Sequence, residues 1–170
     1  VPADSIVGGQ EGRGLKAALR GINHARLHVA ATCVGQAIRL ITEMTEYASK
    51  REQFGKRIGE FGQIAAMLAD SRAEMAAGRA LCLDCAKQFD AGDQIPFIDI
   101  ASAKLFCSEM VSRVADRAVQ VMGGLGYMED LSDVPRLFRD VRLFRIFEGA
   151  SQVQQGNIAR SMMKDHESLS

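Results

Sequence analysis

FIDIASAKLFCSEMVSRVADRAVQVM, residues 97–122, is apolar most of the way round when it is drawn as a helix. The apolar positions include Ile98, Ala101, Leu105, Val114, Val119 and Met122. A helix of this kind is typical of the centre of a bundle, where neighbouring helices cover it on several sides. Gly123-Gly124-Leu125-Gly126 follows and ends the helix, because glycine readily adopts the left-handed conformation that closes helices. We therefore expect other helices to pack around this one.

The segments before this stretch predict two long helices. The first begins at Leu15 and runs to about Ser49, with apolar residues at the helical period. Its inner face carries Leu15, Ala18, Leu19, Ile22, Val29, Cys33, Ala37, Ile41, Met44 and Ala48. The second runs from about Gly62 to Phe89, is closed by Gly92, and is followed by a turn at residues 93–96. Its inner side carries Ile64, Met67, Met75, Cys82, Cys85 and Phe89.

The segments after this stretch predict two shorter helices. One is capped by Ser132 or Asp133 and has Pro135 in its first turn. The other begins near Gly149 and fades by Lys164, which leaves residues 166–170 as a frayed tail. Residues 1–14 are glycine-rich and form a tail, in which Val1-Pro2 and Ile6-Val7 fit the remnant of a strand. The predicted fold is all-α: an up-down four-helix-type bundle with an additional short helix, spanning residues 15–165.

Composition narrows the class of protein. The 170 residues include 21 basic and 21 acidic side chains, so the formal net charge is zero and nothing in it predicts binding to nucleic acid or to a membrane surface. No apolar run is long enough to span a bilayer. The four cysteines lie in apolar helical patterns and are expected to be buried free thiols: Cys33, Cys82, Cys85 and Cys107. A structural zinc site needs four ligands, usually two Cys-x-x-Cys pairs or one pair with two nearby histidines. Cys82-Leu83-Asp84-Cys85 is one such pair, but there is no second, and His24 and His28 are distant in sequence. No metal site is therefore predicted.

Two segments carry residues that a bundle does not require. Arg51-Glu52-Gln53-Phe54-Gly55-Lys56 places a guanidinium and an aromatic ring at the exit of the first helix, where they suit a phosphate and a planar ring. A solvated basic helix end would have the same composition. Gln120-Val121-Met122-Gly123-Gly124-Leu125-Gly126-Tyr127 has consecutive glycines, which let a backbone approach a ligand closely, besides capping the helix.

The third such segment is Arg145-Ile146-Phe147-Glu148-Gly149-Ala150-Ser151-Gln152-Val153-Gln154. It places one carboxylate among apolar neighbours, directly before a helix. The helix N-terminus favours the charged carboxylate, whereas apolar surroundings raise its pKa. A carboxylate balanced in this way can take a proton from carbon. A glutamate that only satisfies the helix dipole is an equally good interpretation of this segment alone.

The patterns Arg-x-x-Phe-Gly, Gln-x-x-Gly-Gly-x-Gly-Tyr and Phe-Glu-Gly-x-Ser-Gln-x-Gln resemble, in order and separation, the signature segments of the C-terminal helical domain of the acyl-CoA dehydrogenases. The resemblance covers roughly Val1 to Lys164, and residues 1–14 resemble the last strand of the family's middle β domain and the link that leaves it. Family members are FAD-dependent flavoproteins that dehydrogenate an acyl-CoA thioester between its α and β carbons. A glutamate removes the α proton, and the β hydrogen leaves as hydride to FAD.

The resemblance implies a role for each matching residue. Glu148 matches the catalytic base. Positions that touch the FAD of a neighbouring subunit match Arg51, Phe54, Gln120, Gly123 and Gly124, and positions that touch the chain's own FAD match Ala150, Ser151 and Gln152. Arg26 and Gly149 match substrate-binding positions, Arg26 near the CoA portion. The resemblance also implies a homo-oligomer (dimer or tetramer), electron-transferring flavoprotein as electron acceptor, and an intracellular location.

Departures from the family pattern refine these expectations. Some members keep their base on the first helix, but residues 21–31 contain no Asp or Glu, which favours Glu148. Position 150 is alanine where the family usually has threonine, so one hydroxyl contact to the flavin is missing. The family's N-terminal helical domain and middle β domain are not represented, so we expect this piece alone neither to hold FAD tightly nor to turn over. Two alternatives stay open: a helical oligomerisation module of a non-catalytic relative, and an acyl-CoA oxidase.

Overall fold

The computed structural model describes residues 2–6, 8–92 and 97–169, which form a bundle built on three long helices. These are α1 (Gly14–Lys50), α2 (Gly62–Asp90) and α3 (Phe97–Met122). Three shorter helices follow: α4 (Gly124–Tyr127), α5 (Val134–Arg142) and α6 (Ser151–Leu169). The predicted all-α bundle is confirmed, and the long helices begin and end within one residue of the predicted positions.

Several small elements were not predicted. A hairpin joins α1 to α2: β1 (Glu52–Gln53) pairs antiparallel with β2 (Lys56–Arg57). Phe54 and Gly55 form its tip with φ of 52° and 77°, the left-handed geometry of a tight two-residue hairpin turn. Short 3-10 turns cover Ala3–Ser5, Ile58–Glu60 and Leu143–Arg145. α4 is a single helical turn that begins at the second glycine after α3.

The core lies around α3, as its all-round apolar surface predicts. α3 contacts α1, α2, α4, α5 and α6. The α1 part of the core runs from Val29 to Ala48, and the four cysteines are buried and free, as predicted. α2 and α3 approach closely at Gly78, where an added Cβ would lie 3.2 Å from Cys107 Sγ and 3.3 Å from Met110 Cε. Small side chains therefore set the distance between these two helices.

Two predictions about the ends of helices are corrected. Leu15 and Ala18 were expected on the inner face of α1, but both are exposed, Leu15 to 73%. The reason is that the last turn of α2 meets α1 at His24, where the rings of His24 and Phe89 are 4.6 Å apart, so the first turns of α1 extend past α2. α6 also continues to Leu169, five residues beyond the expected end at Lys164.

Some expectations fall on residues outside the described ranges. These are Val1 and Val7 of the strand remnant, the turn at 93–96, and Ser170. Across the described ranges, no helix is both long enough and apolar enough to cross a membrane. The same residues contain no group of three or more His, Cys, Asp or Glu side chains that could hold a metal ion.

Candidate functional site

Glu148 lies in a strained turn between the 3-10 turn Leu143–Arg145 and α6. Its φ is 52°, and that of Gly149 is 90°, so two successive residues adopt the left-handed region. A residue with a Cβ is uncommon there, and such a conformation persists only where the surroundings fix it. The turn therefore needs contacts that hold its backbone.

Three buried side chains from three different helices supply these contacts. The carbonyl oxygen of Glu148 accepts hydrogen bonds from Arg26 Nε (3.2 Å) and Gln154 Nε2 (3.1 Å). The carbonyl oxygen of Gly149 accepts from Lys104 Nζ (2.7 Å) and Gln154 Nε2 (3.3 Å). Lys104 Nζ also donates to the carbonyl oxygen of Phe144, 2.8 Å away. Arg26, Lys104 and Gln154, which we call the turn clamp, thus connect α1, α3 and α6 to the turn.

The carboxylate of Glu148 is left available by this arrangement. Glu148 is half-buried, and no side chain of the described residues donates a hydrogen bond to its carboxylate oxygens. The first backbone hydrogen bond of α6 runs from Gln154 N to Ala150 O, so the preceding amides at the helix start have no acceptor within the helix. Both features suit a proton acceptor beside a polar ligand.

Two buried cations of the clamp act on the same region. Burial is the main cause that lowers the pKa of Arg26, and the charge of Glu148 opposes it. Burial likewise lowers the pKa of Lys104; Cys33, Glu109 and Glu148 oppose this shift, whereas Arg26 adds to it. The Glu148 carboxylate therefore lies within the electrostatic reach of two cationic side chains.

Glu109 on α3 supports the other side of the turn. Its Oε1 accepts hydrogen bonds from Ser151 Oγ (2.6 Å) and Arg145 Nε (2.9 Å). Burial raises the pKa of the Glu109 carboxyl, but these two donors outweigh it and hold the pKa below its ordinary value. Ser151 as a whole is 2% exposed and its hydroxyl already donates to Glu109, so its side chain has no free face for a ligand. The other two residues predicted to touch the chain's own FAD differ in exposure: Ala150 is half-buried and Gln152 is exposed.

A groove at the opposite end of α1 unites the other two sequence motifs. Its volume is about 400 Å³, and Arg51 and Phe54 line it together with Gly123 and Gly124. The remaining wall is mostly apolar: Tyr47, Gln53, Ile58, Phe61, Ile64, Val121 and Met122. We call it the hairpin groove. Gln120, predicted to act with these residues, is exposed and does not line it.

The hairpin groove presents an aromatic ring to solvent. Phe54 at the hairpin tip is 93% exposed and makes an edge contact with Phe61, with 6.3 Å between the ring centroids. Gly123 has a φ of 58°, a conformation that brings bare backbone to the groove. An exposed ring, a guanidinium and an accessible backbone suit a flat ligand that carries phosphate.

The Glu148 turn and the hairpin groove are far apart in one chain. Arg26 contacts the turn, and the hairpin begins directly after Lys50, 24 residues later on the same helix. At a rise of 1.5 Å per residue, this separation is about 36 Å. The two parts therefore lie at different positions within a single chain.

Three polar residues of the site were missed from the sequence: Lys104, Glu109 and Gln154. A signal existed for Lys104, because a single lysine within an apolar helix needs a buried partner. Gln154 belongs to the third sequence motif, but its role depends on a backbone turn that residue types do not reveal.

The chain matches known proteins over most of its length. Residues 12–163 match the family model described as "Acyl-CoA dehydrogenase, C-terminal domain". The mitochondrial very long-chain specific acyl-CoA dehydrogenase of Mus musculus is 37% identical over 153 residues, which are 90% of this chain and 23% of that protein. The caffeyl-CoA reductase-Etf complex subunit CarC of Acetobacterium woodii is 36% identical and covers 96% of this chain and 42% of its own length. Butyryl-CoA dehydrogenase from Megasphaera elsdenii superposes with a TM-score of 0.87 at 34% identity, over 91% of this chain and 40% of that chain. The chain therefore spans less than half the length of these relatives.

Proposed function

Because this chain belongs to the acyl-CoA dehydrogenase family, as its C-terminal helical domain, we propose that it supplies the catalytic base and part of the flavin site of an FAD-dependent acyl-CoA dehydrogenase. The whole protein would catalyse α,β-dehydrogenation of an acyl-CoA thioester. Glu148 is the proposed base, and Arg26 and Gly149 are the proposed substrate-binding residues beside it.

The observation that carries this proposal is the Glu148 turn. A half-buried carboxylate without a hydrogen-bond donor from the described side chains stands at the start of α6, on a backbone that the turn clamp holds. A base must be free to take a proton and fixed in position while it does so. Within this chain, Glu148 combines both properties.

The residues of the hairpin groove fit part of FAD. The exposed Phe54 ring offers a stacking surface, Arg51 offers a donor pair for a phosphate, and the backbone at Gly123 and Gly124 leaves room for close approach. Gln120 is proposed as a further contact at the edge of this surface, and Ala150, Ser151 and Gln152 as contacts of the chain's own flavin through the start of α6. FAD, when bound, supplies the acceptor for the β hydrogen, which leaves as hydride.

The distance between the two parts supports a homo-oligomer. With about 36 Å along α1 between the Glu148 turn and the hairpin groove, one flavin cannot lie against both in the same chain. Two copies would complete each other if the hairpin groove of one covers the flavin beside Glu148 of the other. We propose a dimer or tetramer of this kind.

Electron-transferring flavoprotein is the proposed electron acceptor. One relative is by name a subunit of an Etf complex. An acyl-CoA oxidase is the second candidate, since a prolyl acyl carrier protein oxidase shares the fold with a TM-score of 0.85 at 25% identity. Peroxide production by the full-length protein, measured with and without electron-transferring flavoprotein, separates the two: an oxidase forms peroxide at the turnover rate in air.

Replacing the base tests the proposal. In the full-length protein, Glu148→Gln should keep FAD but slow exchange of the substrate α proton by roughly 10²–10⁴-fold, because the amide cannot accept that proton. Exchange is followed by deuterium incorporation into an acyl-CoA. Glu129→Gln, at an exposed acid between α4 and α5, is the matched control and should exchange normally. Normal exchange by Glu148→Gln would assign the base to another residue.

A further inference from the structure

Lys104 is a lysine with no exposed surface in the centre of the bundle. It lies on α3 among apolar residues and is 0% exposed. An ammonium group is costly to remove from water unless its donors are satisfied, so a buried lysine needs specific hydrogen-bond acceptors around it. Its position next to the proposed active site makes these acceptors informative.

Both hydrogen bonds of Lys104 go to the backbone on either side of Glu148. Nζ donates to the carbonyl oxygen of Gly149 at 2.7 Å and to that of Phe144 at 2.8 Å. These acceptors are the residue after the proposed base and a residue in the 3-10 turn before it. A single cation on the rigid central helix therefore ties both ends of the loop that carries Glu148.

The loop requires this restraint because its conformation is strained. Glu148 is a residue with a side chain at a φ of 52°, followed by Gly149 at 90°. In this geometry the carbonyl oxygens of residues 148 and 149 meet the buried donors of Arg26, Gln154 and Lys104. Of these three, Lys104 is the one that reaches both flanks of Glu148, and without it two buried carbonyl groups would lose a charged donor.

We propose that Lys104 is a positioning residue, which fixes the left-handed Glu148–Gly149 turn so that the carboxylate is aimed at the substrate α carbon. The proposal rests on Glu148 being the base. It predicts that loss of the ammonium leaves acyl-CoA and flavin binding largely intact while the base is misplaced. A misplacement of about 1 Å lowers the rate of the chemical step by roughly a hundredfold.

The test compares Lys104→Met with Lys104→Gln in the full-length flavoprotein. Both side chains are similar in length to part of the lysine stem, but only glutamine keeps an N–H donor. We expect Lys104→Met to retain flavin, to lose roughly a hundredfold in kcat with little change in KM, and to show faster backbone hydrogen exchange in a peptide covering residues 143–152. Lys104→Gln should recover part of both effects. Lys87→Met, at an exposed lysine of α2, is the matched control.

The outcomes separate this proposal from the function it rests on. Continued α-proton exchange by Glu148→Gln would reject the proposed base, whereas hydrogen exchange in residues 143–152 would still report whether Lys104 holds the turn. Wild-type kcat and turn protection in Lys104→Met would overturn the role of Lys104 even if Glu148 is the base. If both Lys104 variants fail to fold while Lys87→Met folds, Lys104 is needed for folding as a whole, and the positioning role is rejected.

Discussion

Glu109 connects the two sides of the Glu148 turn through a single carboxylate. It accepts hydrogen bonds from Arg145, which ends the 3-10 turn, and from Ser151, which begins α6. Its carboxylate therefore holds the residues at the two ends of the loop, whereas the turn clamp binds backbone carbonyl oxygens. Charge-assisted hydrogen bonds of this kind are stronger than neutral ones, so the ionisation state of Glu109 matters to the stability of the loop.

This arrangement makes the stability contributed by Glu109 depend on pH. The pKa of Glu109 is lower in the folded protein than its ordinary value, so its stabilisation is present above the unfolded pKa of about 4.3 and is lost as pH falls through the lower folded value. We expect the free energy of unfolding of Glu109→Gln to fall below that of the parent near neutral pH and to approach it in acid. Urea unfolding at a series of pH values measures this difference.

Glu74 provides an internal comparison for that measurement. It lies between Arg113 and Arg117, whose hydrogen bonds outweigh the effect of burial and also lower its pKa. Glu109→Gln should therefore keep part of the acid sensitivity, and adding Glu74→Gln should remove more of it. A stability difference between Glu109→Gln and the parent that stays constant across the pH series would contradict the assignment.

At the scale of the helices, two glycines make opposite predictions for the same substitution. Gly78 lies where α2 meets α3, and an added methyl group would press on Cys107 and Met110. Overpacking of this kind costs about 1–3 kcal/mol, so Gly78→Ala should destabilise the bundle. Gly35 is exposed within α1, and an added Cβ would have nothing within 4 Å. There the gain in helix propensity is about 0.5–1 kcal/mol, so Gly35→Ala should stabilise it.

Thermal unfolding of the two variants beside the parent measures both effects. If Gly78→Ala were as stable as the parent, α2 and α3 would have to separate readily at Cys107. If Gly35→Ala were destabilising, α1 would need a conformation at this position that alanine disfavours. The pair also controls for the substitution itself, since both variants add the same methyl group to a helical glycine.

The helices were predictable because their signal is local. The apolar period of α3 and the glycines after it determine its position and both of its ends. An up-down arrangement also puts the C-terminal ends of α1 and α3 at the same end of the bundle, which explains why Arg51 meets Gly123 in the hairpin groove. The exposure of Leu15 was not predictable, because it depends on where α2 stops and not on the period of α1.

The turn clamp was beyond prediction for a related reason. The bond from Lys104 to Gly149 joins residues 45 positions apart, and it exists only because Glu148 adopts a left-handed conformation. Residue types reveal neither a contact between residues so far apart in sequence nor the φ of a glutamate. The sequence pattern identified Glu148 as a candidate, but the groups that fix its backbone became visible only in three dimensions.

At the scale of the whole molecule, a complementation experiment tests whether two copies share each flavin. Full-length Glu148→Gln and Arg51→Ala should each have low activity alone, because one loses the proposed base and the other a proposed flavin contact. Coexpression in a dimer should leave roughly a quarter of the sites with both residues intact, if Arg51 acts across the subunit interface and assembly is random. Activity assays of the coexpressed and the separately mixed proteins measure the recovery.

The same-chain alternative gives a different result. If Arg51 and Glu148 served one flavin within a single subunit, every site of the mixed dimer would still carry one defect, and activity would not recover. Coexpression of Glu148→Gln with Arg79→Ala, at an exposed arginine of α2, is the positive control. This partner keeps Arg51, so it shows how much activity an undamaged flavin contact restores.

The unbroken length of α1 has a consequence for how such a site can evolve. Arg26 and the hairpin are joined by one helix, so their separation and their relative direction are both counted in residues. Inserting one residue into an α-helix moves everything beyond it by about 1.5 Å and turns it by about 100°. In the proposed oligomer, the length of α1 therefore sets the distance between the two flavin positions. Insertions and deletions between residues 26 and 50 would turn the hairpin away from the proposed neighbouring flavin, so we expect relatives that share the proposed site to keep the residue count of α1.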